Sequence, residues 1–559
     1  MKRKAGKAHK SEIKPGKPAE TLAAEKFIFK YGGWLAIAAV LIIAAIIRIR
    51  LLEIPLERDE GEFAYMGQLI LNGVPPYLLA YNVKLPGIYL AYALMMALFG
   101  QTTAGVHLGL LVVNTASIVL TFLLTRRLFG TVAGVVAAAG YAFLSLSPSA
   151  LGTSAHATQY IVPFVLGGTL LLLTAIESGK YRLIIMSGLL YGLAFTVKQH
   201  AAFFILFAVA FLAWNRIQAR PADWKKMACE TALLVLSSAL PFAMACIWLY
   251  HAGVFPRFWF WTFTYASQYV SIVPWSDGWR IFQLKAPIAI GPWVWLWCLA
   301  GIGLSAIFWN KTVRSQAVFL TGFTLVSFLS ICPGFYFREH YFVLMLPAVS
   351  VLAGAAASAG RDFLAAREMP AAVQWIPLFI VMLAILIPVV KFGGFFFRAT
   401  PVEAGRMMYA LNPFPESVEI AEYIRKHTTG DDRIAVIGSE PQIYFYSRRK
   451  SATGYLYVYG LMEPHAFASK MQLDMIQQIE SARPKYMIVV DVKESWGRWE
   501  KSDLTIRRWT ERYIAENYRL AGIADIITEN YYPVYWDDDA RKYKPKARNN
   551  VYVFERKTL

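Results

Sequence analysis

Residues 58–65 read Arg58-Asp59-Glu60-Gly61-Glu62-Phe63-Ala64-Tyr65 and come directly after the first long apolar segment of the chain. The turn Lys84-Leu85-Pro86-Gly87 follows about twenty residues further along the chain. Charged side chains are costly close to a bilayer, since an Asp, Lys or Arg at the centre of a membrane helix costs about 3 kcal/mol. Charges that are kept there usually mark a substrate path or a reaction site. This segment therefore predicts a functional site beside a membrane.

The composition is that of a membrane protein. Of the 559 residues, 57% are hydrophobic and only 17% are charged, which lies outside the usual range of soluble proteins. The segment from Tyr31 to Leu52 is long enough to span a bilayer and carries no small-residue cleavage site, so it predicts a retained helix. The sequence therefore predicts a polytopic protein that is anchored from its first span.

Apolar runs close to the length of about 20 residues that a bilayer requires recur along the chain. They predict about eleven membrane helices, at 32–52, 104–125, 131–148, 159–176, 182–197, 200–214, 229–250, 287–309, 316–332, 341–359 and 373–394. Most of the connecting arginines and lysines then fall on one side, which the positive-inside rule makes the cytoplasmic side. We therefore expect a mainly α-helical protein of the cytoplasmic (inner) membrane with its N-terminus in the cytoplasm.

The net charge of +19 does not indicate a nucleic-acid partner, because the placement of the cations explains it. Residues 1–30 predict a basic cytoplasmic tail lying near anionic lipid. The cysteines lie in or at the ends of apolar runs without paired spacing, so neither a disulfide framework nor a zinc site is indicated. They are Cys229, Cys246, Cys298 and Cys332.

A second set of basic residues falls on the external side, against the general bias. It comprises Arg58, Lys84, Lys198, Arg257, Arg280, Lys285 and Arg338. A cation in a disfavoured position indicates that it binds an anion.

The first external loop, 53–103, contains an apolar piece at 87–99 that suits an interfacial helix. The aromatic-rich loop 251–286 suits either a belt at the headgroup level or a surface that holds a lipid or sugar.

From residue 395 the chain changes to charged residues of both signs and short apolar runs. The runs at 433–438, 486–491 and 551–554 predict strands, and the patterns at 415–428 and 504–519 predict helices. We expect an α/β domain at 395–559, which an odd number of preceding spans places outside the cytoplasm, in the periplasm. The domain has no glycine-rich phosphate loop or dinucleotide fingerprint, and clustered Cys/His patterns are also absent, so nucleotide chemistry and a tightly held zinc ion are not indicated.

Four features in this order resemble the C-type (GT-C) membrane glycosyltransferases, and among them the protein mannosyltransferase-like and lipid A aminoarabinose transferase family. They are the first span, the pair Asp59-Glu60, the turn Lys84-Leu85-Pro86-Gly87, and Phe337-Arg338-Glu339-His340-Tyr341-Phe342 opening a later span, with support from Lys198-Gln199. The likeness covers about residues 30–360. It implies a GT-C fold with a multi-pass catalytic part at 31–394.

The resemblance also implies an activity. A sugar would pass from a polyprenyl-phosphate donor of the undecaprenyl-phosphate type to an envelope acceptor on the external membrane face. Lipid A or lipopolysaccharide, another glycolipid, a polysaccharide and a protein hydroxyl are all compatible acceptors. An acidic residue would act as general base while cations stabilise charge on the departing phosphate. No cofactor is expected; a divalent cation is compatible but not indicated.

The resemblance assigns roles to particular residues. Asp59 is the expected general base, with Glu60 as the alternative. The expected phosphate- or donor-binding residues are Lys84, Arg338, His340, Lys198 and Tyr341, and accessory or acceptor-binding candidates are Glu62, Tyr65, His156, Gln159 and Arg58. The acidic residues can alternatively cap the helix that follows, and the cations can be residues that extend towards the interface.

The chain departs from the family in two places. Relatives often carry an arginine where this chain has Phe335 or Tyr336, and many carry an acidic residue near Gln159. Two other functions also remain open. One is an oligosaccharyltransferase or ligase that uses a lipid pyrophosphate donor, and the other is a transporter of lipid-linked substrates, although the halves of the sequence show no inverted repeat.

Overall fold

The computed structural model of the chain describes residues 19–219 and 223–557, with side chains from residue 31 onward. The basic tail predicted at 1–30 therefore lies largely outside the described residues. Its last part, from Ala19, is already helical, because the first helix runs from Ala19 to Arg50.

Helices α1–α17 form the part of the protein that contains the apolar spans. They are α1 (Ala19–Arg50), α2 (Arg58–Leu71), α3 (Pro86–Phe99), α4 (Thr103–Phe129), α5 (Thr131–Leu144), α6 (Ala157–Ser178), α7 (Tyr181–Val197), α8 (Ala202–Gln218), α9 (Trp224–His251), α10 (Phe255–Trp259), α11 (Ala266–Val270), α12 (Trp275–Ile290), α13 (Val294–Trp309), α14 (Lys311–Ser315), α15 (Ala317–Leu329), α16 (Leu346–Ala365) and α17 (Ile376–Lys391). Short 3₁₀ and π turns connect several of them.

Each of the predicted membrane spans coincides with a helix. Among the described residues, 8 helical segments are long and apolar enough to cross a bilayer. Three predicted spans correspond to shorter apolar helices, namely α5, α7 and α15. The span predicted at 287–309 begins earlier, at Trp275, because α12 continues into α13 through a single turn. The protein is thus a multi-pass membrane protein whose core is packed between helices.

Helix α2 begins with a capping box, in which Glu57 and Glu60 each accept a hydrogen bond from the other's backbone N–H group. This arrangement satisfies donors that a helix start leaves free. Gly61 lets α2 approach the C-terminal domain closely, since a Cβ atom there would lie 2.6 Å from the backbone nitrogen of Gln442. The helix that carries the acidic motif is therefore enclosed between α3 and the C-terminal domain.

The C-terminal domain contains one six-stranded sheet in the order β2-β1-β3-β6-β4-β5. The strands are β1 (Arg433–Ile437), β2 (Lys450–Ser451), β3 (Tyr486–Asp491), β4 (Tyr518–Asp525), β5 (Val534–Trp536) and β6 (Asn550–Arg556). Strand β1 runs parallel to β2 and β3, and the remaining pairs are antiparallel. The three predicted strands are present as β1, β3 and β6.

Helices of the same domain flank this sheet. They are α18 (Pro401–Tyr409), α19 (Phe414–Lys426), α20 (Gln442–Ser447), α21 (Tyr459–Met462), α22 (Ala468–Ala482), α23 (Lys493–Trp496), α24 (Thr505–Asn517) and α25 (Asp537–Lys542). The helices predicted at 415–428 and 504–519 correspond to α19 and α24.

Several polar contacts fix the C-terminal domain to the loop between α1 and α4. The backbone N–H of Tyr81 donates to the carbonyl of Gly454 at 2.7 Å. The backbone N–H of Ser451 donates to the hydroxyl of Tyr65 at 2.8 Å. Because these bonds join backbone and buried side chains from both parts, the domain and the loop form a common wall.

Candidate functional site

Two neighbouring cavities lie between the helix bundle and the C-terminal domain. The first has a volume of about 510 Å³ and the second a volume of about 1020 Å³. Four residues line both of them, namely Asp59, Arg338, His340 and Tyr459. The acidic residue predicted as general base therefore lies where the two cavities meet.

Asp59 lies in the first turn of α2 and contacts Lys84, whose Nζ is 3.3 Å from a carboxylate oxygen. Burial alone would raise the pKa of Asp59, but the positive charges of Lys84 and Arg338 outweigh it and hold that pKa well below its usual range. Burial would lower the pKa of Lys84, and the carboxylate of Asp59 raises it instead. The two side chains therefore form an ion pair at neutral pH.

Lys84, Lys198 and Arg338 all line the first cavity. The ammonium group of Lys198 lies 4.0 Å from the centre of the Tyr341 ring, and an Arg338 nitrogen donates to the hydroxyl of Tyr269 at 3.3 Å. Burial, followed by the charge of Lys84, holds the pKa of Lys198 well below its usual range. The structure thus brings together three of the seven cations that the sequence placed on the external side, whereas Arg58 and Lys285 line the second cavity and Arg257 and Arg280 line neither.

The aromatic loop contributes to the same cavity. Trp261, Phe263, Tyr265 and Tyr269 line it, whereas Trp275 and Trp279 are 81% and 64% exposed. Part of the loop therefore faces the cavity, and another part has the exposure that an aromatic belt requires.

His156 and His340 stack on each other, with ring centres 4.1 Å apart. Nδ1 of His156 lies 4.0 Å from a carboxylate oxygen of Asp59. Burial lowers the pKa of His156 to about 4, so its imidazole is neutral at pH 7. Asp59, His156 and His340 each offer one ligand atom, and these atoms lie within 4.8 Å of one another. One carboxylate and two imidazoles are a donor set that fits Zn²⁺.

Four predicted site residues line neither cavity, namely Glu60, Gln159, Tyr65 and Glu62, and the first three lie in the surrounding structure. The carboxylate of Glu60 accepts from the backbone N–H of Ala155 at 2.5 Å and lies 3.0 Å from a ring nitrogen of His107. The side-chain amide of Gln159 donates to the carbonyl of Gly152 at 3.2 Å, and Tyr65 contacts the C-terminal domain as described above. These three residues support the local structure around the site.

Glu62 and Arg58 connect the acidic helix to the C-terminal domain. The Glu62 carboxylate accepts from Asn82 at 2.5 Å, from Tyr89 at 2.7 Å and from the hydroxyl of Tyr457 at 2.9 Å. Burial raises the pKa of Glu62 to about 7. Arg58 lines the second cavity and pairs with the buried carboxylate of Glu440 at 2.8 Å.

Among the residues that the sequence did not predict, the largest group comes from the C-terminal domain. Tyr455, Tyr457 and Tyr459 line the first cavity, and Tyr459 also lines the second. The alternation of tyrosines at 455–459 is visible in the sequence but does not define a strand face, because Val458 has helical backbone angles and Tyr459 begins α21. Leu456 lines the same cavity as the three tyrosines, so only the fold identifies these residues as part of the site.

The apolar helices, the site at their end and the appended α/β domain define the GT-C fold of integral membrane glycosyltransferases. Solved structures agree. ArnT from Cupriavidus metallidurans bound to undecaprenyl phosphate has a TM-score of 0.56 at 14% identity, covering 93% of this chain and 98% of that one. The oligosaccharyltransferase AglB from Archaeoglobus fulgidus has a TM-score of 0.53 at 13% identity, covering 92% and 75%. Likeness at this identity shows the fold.

Sequence comparisons are consistent with this class. The family described as dolichyl-phosphate-mannose-protein mannosyltransferase matches residues 83–248. The undecaprenyl phosphate-alpha-4-amino-4-deoxy-L-arabinose arabinosyl transferase of Pseudomonas aeruginosa is 28% identical over 297 residues, which are 49% of this chain and 51% of the relative. The same enzyme from a second strain of that organism is 27% identical over 297 residues. The chain thus spans about half the length of the curated relatives that it matches and resembles the aminoarabinose transferases.

Proposed function

We propose that the chain transfers a sugar from a polyprenyl phosphate to an acceptor hydroxyl on the external face of the cytoplasmic membrane. One observation carries this proposal: Asp59 lies at the junction of two cavities, and the first of them holds three basic side chains. Such an arrangement presents an anionic lipid and an acceptor to the same carboxylate. The undecaprenyl phosphate in the names of the relatives fits the donor class.

The first cavity suits the donor phosphate. Lys84, Lys198 and Arg338 bring a surplus of positive charge, against which Asp59 is the lining carboxylate. Arg338 supplies a planar group of N–H donors that matches phosphate oxygens. A phosphate would also favour the charged form of Lys198. Burial lowers the pKa of this lysine, and an adjacent anion would raise it again. The aromatic walls suit the prenyl chain or the sugar.

Binding of the donor also activates the base. In the free protein the ion pair with Lys84 makes Asp59 a weak base, because its pKa lies far below neutral pH. A phosphate that takes over the charges of Lys84 and Arg338 reduces their effect on Asp59, so the pKa of that carboxyl rises. Proton abstraction is then favoured only when the donor is in place.

The transfer step follows from this geometry. The acceptor oxygen forms a bond to the anomeric carbon of the sugar while Asp59 takes the hydroxyl proton. The bond between that carbon and the phosphate oxygen breaks, and its electron pair stays on the polyprenyl phosphate. Lys84, Lys198 and Arg338 stabilise the charge that develops there.

The second cavity suits the acceptor. Its charged residues are largely paired, since Lys285 lies 2.8 Å from Glu339 and Arg58 is bound to Glu440. Met407, Met408 and Leu411 add apolar surface. We infer an envelope acceptor that combines a hydroxyl group with an apolar portion, of which lipid A and other glycolipids are examples.

A second candidate is a metal-assisted oligosaccharyltransferase. The cluster of Asp59, His156 and His340 favours it, because these residues could hold a divalent cation that would act as a Lewis acid. Lys84 weighs against it, because its ammonium group lies 3.3 Å from the Asp59 carboxylate and already occupies the position of a counter-ion there. A divalent cation would have to displace this ion pair, so we propose that Asp59 acts without a metal.

Mass spectrometry of envelope glycolipids and glycoproteins tests the proposal. A strain that lacks the chain would be complemented with wild type, Asp59→Asn or, as a matched control, Asp277→Asn, whose carboxylate lies in an exposed pair with Arg280. We expect Asp59→Asn to lower the transfer rate by about 100-fold or more and the control to restore the sugar fully. Full restoration by Asp59→Asn contradicts the assignment of the base.

A further inference from the structure

Tyr459 is the one contribution of the C-terminal domain to the junction of the two cavities. The other three junction residues, Asp59, Arg338 and His340, come from α2 and from the segment before α16. Tyr459 is the first residue of α21. A group in this position faces the place where donor and acceptor meet, so its chemistry bears on what is transferred.

The backbone around Tyr459 is fixed from three sides. The hydroxyl of Ser439 accepts the backbone N–H groups of Val458 and Tyr459, at 3.1 and 3.2 Å. Gly497 has a positive φ of 54°, and a Cβ atom there would lie 2.8 Å from Cβ of Tyr459. The ring centres of Tyr457 and Tyr459 are 4.9 Å apart. The hydroxyl of Tyr457 donates hydrogen bonds to the carboxylate of Glu62 and to the backbone carbonyl of Arg58. Tyr459 is thus positioned relative to the helix that carries Asp59.

The phenol of Tyr459 is available to a ligand. Among the described residues, its hydroxyl has no hydrogen-bonding partner. Burial raises the pKa of Tyr459 well above its usual range, so the group stays neutral and remains a donor. Tyrosine combines an apolar ring face with one polar group, and a few polar groups of this kind orient a ligand in a pocket.

The roles proposed for Asp59 and Arg338 indicate which part of the substrate Tyr459 contacts. Under the proposed function, Asp59 faces the acceptor hydroxyl and Arg338 faces the phosphate. The transferred sugar lies between these two groups, and it carries hydroxyl oxygens and apolar C–H faces. A neutral ring with a hydroxyl donor matches such a group, whereas it offers little to a phosphate that already contacts three cations.

We propose that Tyr459 contacts the transferred sugar and is a specificity-determining residue that the C-terminal domain supplies to the site. This inference rests on the proposed function and deepens it. It also gives the C-terminal domain a part in substrate choice. Recognition of the donor is then divided between two parts of the protein: the membrane part binds the phosphate, and Tyr459 of the C-terminal domain contacts the sugar.

Binding of two lipids tests the inference. The probes are undecaprenyl phosphate and the same lipid carrying 4-amino-4-deoxy-L-arabinose, titrated into the full chain in nanodiscs. We expect Tyr459→Phe to weaken binding of the sugar-carrying lipid about fivefold, the effect of one lost neutral hydrogen bond. Tyr459→Ala should weaken it about tenfold or more. Binding of undecaprenyl phosphate should change by less than about twofold in both variants.

Two further variants sharpen the comparison. Gly497→Ala should reproduce the selective loss, because it displaces the backbone of Tyr459 without changing that side chain. Tyr513→Phe removes the same hydroxyl from a half-buried ring that stacks on Trp509 and should change neither affinity.

The outcomes are distinguishable. Equal affinities of wild type and Tyr459→Phe for the sugar-carrying lipid overturn the inference and leave the proposed function standing. Equal weakening of both lipids also overturns it, since that result indicates a structural role. If the wild-type protein binds neither lipid, the proposed function fails and the inference fails with it.

Discussion

The two cavities that meet at Asp59 differ in how their charges are balanced. In the first, Lys84, Lys198 and Arg338 face a single lining carboxylate. The second shares Arg338 and Asp59 with the first, and its other two cations, Arg58 and Lys285, are already paired with carboxylates. Lys84 pairs with Asp59, whereas Arg338 forms no ion pair with a carboxylate among the described residues and burial disfavours the protonated state of Lys198. An anionic ligand in the first cavity would stabilise the charged forms of both. The two cavities share four residues and differ in the pairing of the others, which is the difference that we expect between a donor site and an acceptor site.

The largest expected effect concerns the cations of the first cavity. Lys84→Ala and Arg338→Ala should each weaken binding of undecaprenyl phosphate by about 10- to 100-fold, since each removes a charge-assisted contact to phosphate. Lys285→Ala removes the same kind of charge from the second cavity and should leave this affinity within about twofold. Isothermal titration in detergent at low salt measures all three. If all three variants lost the same affinity for undecaprenyl phosphate, the assignment of the phosphate to the first cavity alone would be contradicted.

A smaller effect concerns Glu62, which accepts hydrogen bonds from Asn82 and Tyr457 in the wall of the first cavity. With a folded pKa of about 7 and an unfolded pKa near 4.3, this carboxyl binds more protons in the folded state than in the unfolded state between those values. The stability that it contributes therefore falls as the pH rises through this window. Its ionisation above pH 7 also reduces the positive surplus beside Lys84.

Glu62→Gln keeps this side chain neutral at every pH. It should therefore remove the contribution of Glu62 to the pH dependence of stability and to the pH dependence of lipid binding. The melting temperature of the wild type should fall more than that of the variant between pH 5 and 7.5. Affinity for undecaprenyl phosphate should fall more in the wild type between pH 6 and 8.5, whereas titration of the lipid itself is common to both proteins. Parallel pH profiles would show that Glu62 does not set the charge of the cavity.

The smallest expected effect is that of metal removal. Because the ion pair of Lys84 with Asp59 opposes a divalent cation at Asp59, His156 and His340, transfer activity should be unchanged after dialysis against a chelator. A sugar-transfer assay before and after treatment, with Zn²⁺ or Mn²⁺ added back, measures this. Activity that is lost and then restored by one of these ions would favour the metal-assisted alternative.

The fold was predictable where a local pattern carries it. Every apolar run predicted as a span coincides with a helix, although three of these helices are shorter than a membrane span requires. The buried runs of β1, β3 and β6 identified half of the sheet. Strand β4 was missed because the prediction at 504–519 extended the helix α24 into its first residues. Strands β2 and β5 are too short for a periodic signal, since they have two and three residues.

The site was predictable where charge was out of place. Asp59, Lys84 and Arg338 stood out because each is costly near a bilayer. Tyr459 carries no such cost, and its position depends on how the C-terminal domain packs against the loop at Tyr81. His107 was likewise missed, because it lies within an apolar run and only the fold brings it to Glu60.

The backbone hydrogen bond between Tyr81 and Gly454 has an evolutionary consequence. It joins a loop of the membrane part to the C-terminal domain, so each part supplies one wall of the cavity. Under the proposed function, exchange of that domain between related proteins would alter which sugar is accepted, while the cations and the carboxylate proposed for the reaction would stay unchanged.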